Sequence, residues 1–118
     1  KIFLKVDIEG SEYEILEQIN QYKSIITGIV IEFHETSKNM KKIISFIDKL
    51  QDKLSLVHIH GNNYSIKSKN QKPEAIELTF LNNKLFIKES RKNNKSYPIK
   101  GLDYPNSKRS EDSILKFI

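Results

Sequence analysis

The sequence contains no cysteine and no tryptophan, and only one methionine, three prolines and four glycines in 118 residues. Without cysteine there is no disulfide framework, no thiolate metal site and no thiol nucleophile. No serine sits in a G-x-S-x-G elbow, so the hydrolase nucleophile is missing as well. No apolar run approaches the roughly 18 residues that span a bilayer, and no signal peptide is visible, so neither a membrane role nor export is expected. The absence of cysteine fits a reducing, cytoplasmic location. The single methionine is the internal Met40 and the chain opens on Lys1, which leads us to expect a fragment or a trimmed product.

What is present is ordinary for a soluble globular chain, with 37% hydrophobic and 30% charged residues. The formal net charge is +5, which raises the question of nucleic acid. The basic residues are scattered through Lys41-Lys42, Lys67-Lys69-Lys72, Arg91-Lys92-Lys95 and Lys108-Arg109. No basic helix or aromatic-interleaved stripe gathers them on one face, so no specific nucleic-acid partner is expected. The many Lys, Asn and Ile residues fit an AT-rich genome.

Ile2 to Ile8 is a nearly continuous apolar run, as in a strand buried on both faces of a parallel sheet. It breaks at Gly10, and Ser11 and Glu14 have the S-x-x-E spacing of a capping box. Ile15, Leu16, Ile19 and Tyr22 then recur at helical spacing. The pattern repeats with a strand at Ile29 to Phe33, followed by a helix carrying Met40, Ile43, Ile44, Ile47 and Leu50 on one face. A third strand is expected from Leu54 to His60. Alternating strands and helices imply crossover connections and a parallel sheet, so the fold class is α/β. Residues 65–74 read as a polar loop, and Ala75 to Phe80 as a strand with one wetter face. Asn82-Asn83 is expected to supply positive φ in a tight turn into Leu85-Phe86-Ile87. From about Ser90 onward an extended tail is expected, giving a domain over 1–90 and a tail over 91–118.

In an open parallel sheet, ligands bind beyond the carboxyl ends of the strands. The first expected strand ends in Asp7, Glu9 and Glu12, the second in Glu32, His34 and Glu35, and the third in His58, His60, Asn62 and Asn63. An acidic residue inside an apolar strand is costly without a task, which singles out Asp7 and Glu9, and Glu32 in the second strand. Two chemistries fit. Asp7, Glu32, His34 and His58 could ligate a divalent metal as a mixed oxygen–nitrogen site. The same groups could instead act as a general base and as hydrogen-bond partners for a hydroxyl substrate and a cofactor. Spacing alone does not decide, because the groups come from separate strands.

The run Leu4-Lys5-Val6-Asp7-Ile8-Glu9-Gly10-Ser11-Glu12 closely resembles the L-K-x-D-x-E-G-x-E signature of FkbM-family methyltransferases. Ile29 to His34 is similar to that family's I-x-x-E-x-H segment, and Val57 to Tyr64 and Pro73 to Phe80 resemble its later blocks. Leu102-Asp103-Tyr104-Pro105-Asn106 is similar to the L-D-x-P-N close of many members. The resemblance implies a Rossmann-like class I methyltransferase fold, of which this chain would hold the C-terminal half. That half is a mostly parallel sheet of strands four to seven, the last antiparallel. No G-x-G occurs among the four glycines, so the glycine-rich turn against S-adenosylmethionine would lie in a missing first half.

By the same resemblance, Asp7, Glu9, Glu32 and His34 are the expected catalytic residues, with Asp7 to orient or deprotonate the acceptor or to hold a metal that does so. Asp7 and Glu9 are also the expected cofactor contacts. Glu12 is expected to hold the following helix near the acceptor, and His58, His60 and Asn62 to form the pocket rim. The expected reaction is O-methylation of a sugar or secondary-metabolite hydroxyl by S-adenosylmethionine. Two alternatives stay open: a non-catalytic recognition or dimerisation half-domain, and a metal-dependent hydrolase built on the Asp, Glu and His edge. A half sheet leaves its first strand unpaired, so a homodimer through that edge is expected.

Overall fold

The computed structural model describes residues 1–64, 72–86 and 93–117. Strand β1 (Ile2–Val6) passes through a tight turn into helix α1 (Glu12–Tyr22). A 3-10 turn over Lys23–Ile25 leads into β2 (Ile26–His34), then helix α2 (Thr36–Leu50) and β3 (Leu54–Gly61). Strand β4 (Ala75–Asn82) completes the main sheet, and the short strands β5 (Ser96–Tyr97) and β6 (Leu115–Lys116) pair with each other. The α/β alternation expected from the apolar periodicity is present. No helix among the described residues is long and apolar enough to cross a membrane.

The sheet is mixed, which corrects the expectation of a mostly parallel one. Its order is β1-β2-β4-β3, with β1 and β2 parallel and β4 antiparallel to both β2 and β3. The cause is the second crossover. Helix α2 carries the chain one strand position past β2, and β4 returns through the gap in the opposite direction. Strands β1, β2 and β3 therefore share a direction, but only β1 and β2 are hydrogen-bonded neighbours in it. Strand–helix alternation reports direction and is silent on which strand fills a skipped position.

One face of the sheet is apolar and covered by the helices. Ile29, Ile31 and Phe33 of β2 and Leu78 and Phe80 of β4 pack against Ile43, Phe46 and Leu50 of α2 and Ile19 of α1. Rings run in file through this layer: Tyr13 to Phe33 at 5.6 Å, Phe33 to Phe46 at 6.0 Å and Phe46 to Phe80 at 5.9 Å. The expected face of α2 is rotated by this packing. Met40 and Ile44 are exposed, while Phe46, absent from the expected stripe, is buried. The i, i+3, i+4 set that faces inward is the one that buries the largest ring.

Three local expectations are corrected. Ser11 makes no side-chain cap bond, and its ψ of 4° lies outside the extended region a capping hydroxyl needs. Asn82 has φ of −63°, so it does not supply positive φ; its side chain accepts from the Lys84 N–H and donates to the Ile26 carbonyl. The expected strand there is replaced by a 3-10 turn over Asn83–Leu85, and Ile87 lies outside the described residues. The third concerns the C-terminal stretch. Its described residues 93–117 fold back on β3, with Tyr97 buried in the core and its ring 5.4 Å from Phe117. Most of the loop expected over 65–74, and Lys67, Lys69, Arg91 and Lys92, lie outside the described residues.

Candidate active site

The carboxyl ends of β1 and β2 lie side by side, because Val6 pairs with Ile31 in parallel register. Beyond Val6 the chain turns sharply at Glu9 (φ 55°) and Gly10 (φ 103°). Left-handed φ is costly for Glu9, and something must hold the turn. That holder is Glu12, the first residue of α1, whose side chain is wholly buried. Its Oε1 accepts the N–H of Ile8 at 3.4 Å and of Gly10 at 3.2 Å, and lies 2.6 Å from Nδ1 of His34. Among the described residues its other oxygen, Oε2, has no partner. Glu12 thus holds the turn that precedes the helix, and it holds the imidazole as well.

His34 ends β2, and its carbonyl accepts the Tyr13 hydroxyl at 2.5 Å. An ionised Glu12 fixes the Nδ1 proton, which leaves Nε2 directed to the open side, 3.6 Å from Glu9 Oε2. Burial pushes the His34 imidazole down, but the hydrogen bond and charge of Glu12, with the charges of Glu32 and Glu9, outweigh it and hold the imidazole above its ordinary value. Burial likewise pushes the Glu12 carboxyl up, and the backbone N–H groups of Glu12 and Gly10 together with His34 hold it below its ordinary value. Burial and the Glu12 charge push the Tyr13 phenol up to about 12, so its hydroxyl keeps its proton and donates.

Glu32 stands two residues before His34 on the same face of β2. Its Oε1 accepts from Asn62 Nδ2 at 2.7 Å. Directly opposite in the antiparallel register is Glu77 of β4, and beyond Glu77 is His60 of β3. Asp7 is exposed at the end of β1. One ligating atom from each of Asp7, Glu32 and His34 lies within 4.8 Å of the others. The structure thus brings Asp7, Glu9, Glu12, Glu32, His34 and Asn62 to one edge.

It takes His58 and His60 elsewhere. Strand β4 stands between them and β2, two strand spacings or about 10 Å away. Nε2 of His58 lies 2.8 Å from Oδ1 of Asp103, and Nε2 of His60 lies 3.8 Å from Oδ2 of Asp112. His58 therefore leaves the four-ligand metal arrangement. Asn63 is buried and turned to the C-terminal segment, donating to the carbonyls of Ser107 and Ser110 at 2.7 Å each. Glu35 opens α2 in left-handed conformation and pairs with Lys38 at 2.6 Å, away from the cluster. Sequence reasoning did not single out Tyr13, Glu77, Asp103 or Asp112 as site residues. Glu77 carried a signal as a charge inside a strand, and Asp103 lay in the L-D-x-P-N block without a role assigned to it.

Residues 2–54 match the Methyltransferase FkbM domain, which covers less than half of the chain and runs from β1 to the first residue of β3. The resemblance carried by Leu4 to Glu12 and Ile29 to His34 is borne out by this match. The blocks at Val57 to Tyr64, Pro73 to Phe80 and Leu102 to Asn106 lie beyond it. No curated protein and no solved structure matches the chain.

Proposed function

We propose, from the FkbM methyltransferase match over residues 2–54, that this chain is the acceptor-side half of an S-adenosylmethionine-dependent O-methyltransferase domain. The observation that carries this reading is the convergence of Asp7, Glu32 and His34 beyond the two parallel strands, inside the matched stretch. The sheet order supports it: β1, β2, β4 and β3 would be strands four, five, seven and six of a Rossmann-like methyltransferase, with the late strand reversed. The open side of β1, where Ile2 and Phe3 are 42% and 59% exposed, is where the remaining strands would add.

S-adenosylmethionine supplies a methyl group on a positively charged sulfonium carbon. The residues fit the charge of that group and not its anionic end. Asp7 and Glu9 are exposed carboxylates at the edge, suited to a cation and to ribose hydroxyls. The backbone N–H groups of Ile8 and Gly10, which could have held the cofactor's carboxylate, are taken by Glu12. Contacts to the methionine and adenosine parts are assigned to the first half of the domain. This chain orients the acceptor. Carboxylates of Asp7 and Glu32 accept hydrogen bonds from adjacent hydroxyls, which suits a sugar or a polyhydroxylated metabolite. Holding the oxygen in line is where much of such a rate originates.

The exposed β1 edge also fits the half-domain reading, in which a second copy covers Ile2 to Val6 and no chemistry is done. Calorimetric titration of S-adenosylmethionine and its demethylated product separates the two. We expect binding to a version extended at the N-terminus and none to this chain alone. Absence of binding to both would overturn the methyltransferase reading.

A further inference from the structure

We infer that Asp7, Glu32 and His34 form a binding site for one divalent transition-metal ion at the edge of β1 and β2. The inference deepens the proposed function by naming a second cofactor for the acceptor side, but the site stands on its own geometry and does not require methyl transfer.

Three observations carry it. The first is the donor set: two carboxylate oxygens and one imidazole nitrogen from three chain positions lie within 4.8 Å of one another. An ion about 2.1 Å from each atom needs them about 3 to 3.5 Å apart. Asp7 is exposed and can rotate to close that gap. The second is that the two inner ligands are already oriented from behind. His34 Nδ1 is held at 2.6 Å by the wholly buried Glu12, which turns the Nε2 lone pair outward. Carboxylate–imidazole pairs of this kind recur behind metal-bound histidines. Asn62 donates to one oxygen of Glu32 at 2.7 Å and so fixes that carboxylate from the side of β3.

The third observation is charge. Glu32 lies directly opposite Glu77 across the strand pair, and Glu9 and Glu12 border the same edge. Like charges in register repel and destabilise a strand pair unless a cation stands between them. Among the described residues, Lys23, Lys38, Lys49 and Lys53 make their ion pairs elsewhere, with Asp52, Glu35 and Glu17. A mixed oxygen–nitrogen set of three with open positions suits manganese, cobalt or zinc and disfavours calcium or magnesium, which prefer oxygen alone. An acceptor hydroxyl could occupy an open position.

The test uses the whole chain, freed of metal by chelator, titrated with Co2+ and followed by visible absorption, and with Mn2+ by calorimetry. We expect one equivalent of Co2+ and the band pattern of a nitrogen–oxygen site. Asp7→Asn touches only an exposed side chain and should weaken binding about tenfold or more. Asn62→Ala should weaken it less, within the 10- to 100-fold span of lost supporting contacts or below it. His58→Ala should leave it unchanged. Absence of binding at millimolar Co2+ to chain that circular dichroism shows folded would overturn the inference. So would binding that Asp7→Asn and Glu32→Gln leave intact. Neither result bears on S-adenosylmethionine binding by the extended form, so the two proposals fail separately.

Discussion

His34 and the pair His58–His60 lie on the same face of one sheet, and each faces carboxylates, yet they are built for opposite ends. His34 is held from behind by a carboxylate that comes from the adjacent helix, and its free nitrogen meets the exposed Glu9 and the open edge. His58 and His60 meet Asp103 and Asp112 from the C-terminal segment, and those aspartates are themselves largely buried. In the first case a buried anion orients a ring toward solvent. In the second, the rings lie beside anions under the C-terminal segment, and among the described residues Nε2 of each ring is buried without a hydrogen-bond partner. The lesson is that a histidine at a strand end becomes a candidate site only when its partner leaves one nitrogen facing the open edge rather than buried.

The largest difference between the two regions should appear on removing the buried anions. Glu12→Ala strands the N–H groups of Ile8 and Gly10 as well as the ring of His34. Breaking a buried pair from one side costs about 3 kcal/mol or more. Asp103→Ala strands His58 and the Ile99 N–H and should cost about 1 to 2 kcal/mol. Urea unfolding of both variants gives the order. If Asp103→Ala were the more damaging, the turn staple assigned to Glu12 would be wrong.

A smaller effect separates closure from stability. Asn63 takes the N–H of Ser107 and gives both amide protons to the carbonyls of Ser107 and Ser110. Asn63→Ala should cost about 2 kcal/mol, the price of leaving those groups unpaired. The cost should fall on the C-terminal segment, so limited proteolysis should cut near Lys108 and Arg109 sooner than in the native chain. Uniform degradation would show instead that segment and sheet unfold as one unit.

These two regions were unequally legible in the sequence. The β1 edge was readable because its signals are local: an aspartate ending an apolar run, a turn at Gly10 and a glutamate within the next apolar strand. The fold class came from the same kind of signal, repeated strand–helix alternation. The closure of His58 and His60 was not readable, since Asp103 and Asp112 lie 45 or more positions along the chain in polar surroundings. Nor was the sheet order, because residues that fill a skipped strand position show only their own alternation. Glu12 was visible as a first-turn acid, for which the helix dipole is sufficient reason. That it turns inward to His34 depends on the left-handed turn before it, which no periodicity reports.

The smallest effect is also the most specific, because it reads the charge of the Glu12–His34 pair while keeping the shape of the side chain. Glu12 is held below its ordinary value of 4.5, so its contribution is complete above pH 4.5 and fades as pH falls through the lowered folded value. His34 is held above its ordinary value of 6.5, so its contribution is complete below pH 6.5 and fades as pH rises through the raised folded value. Both contributions are present together between pH 4.5 and 6.5. The urea midpoint of the native chain, measured with chelator present, should therefore exceed that of Glu12→Gln by the widest margin inside that window and by less on either side. A margin for Glu12→Gln that stays constant from pH 4 to 8 would mean that Glu12 acts only on the backbone N–H groups, and that the imidazole is held by packing.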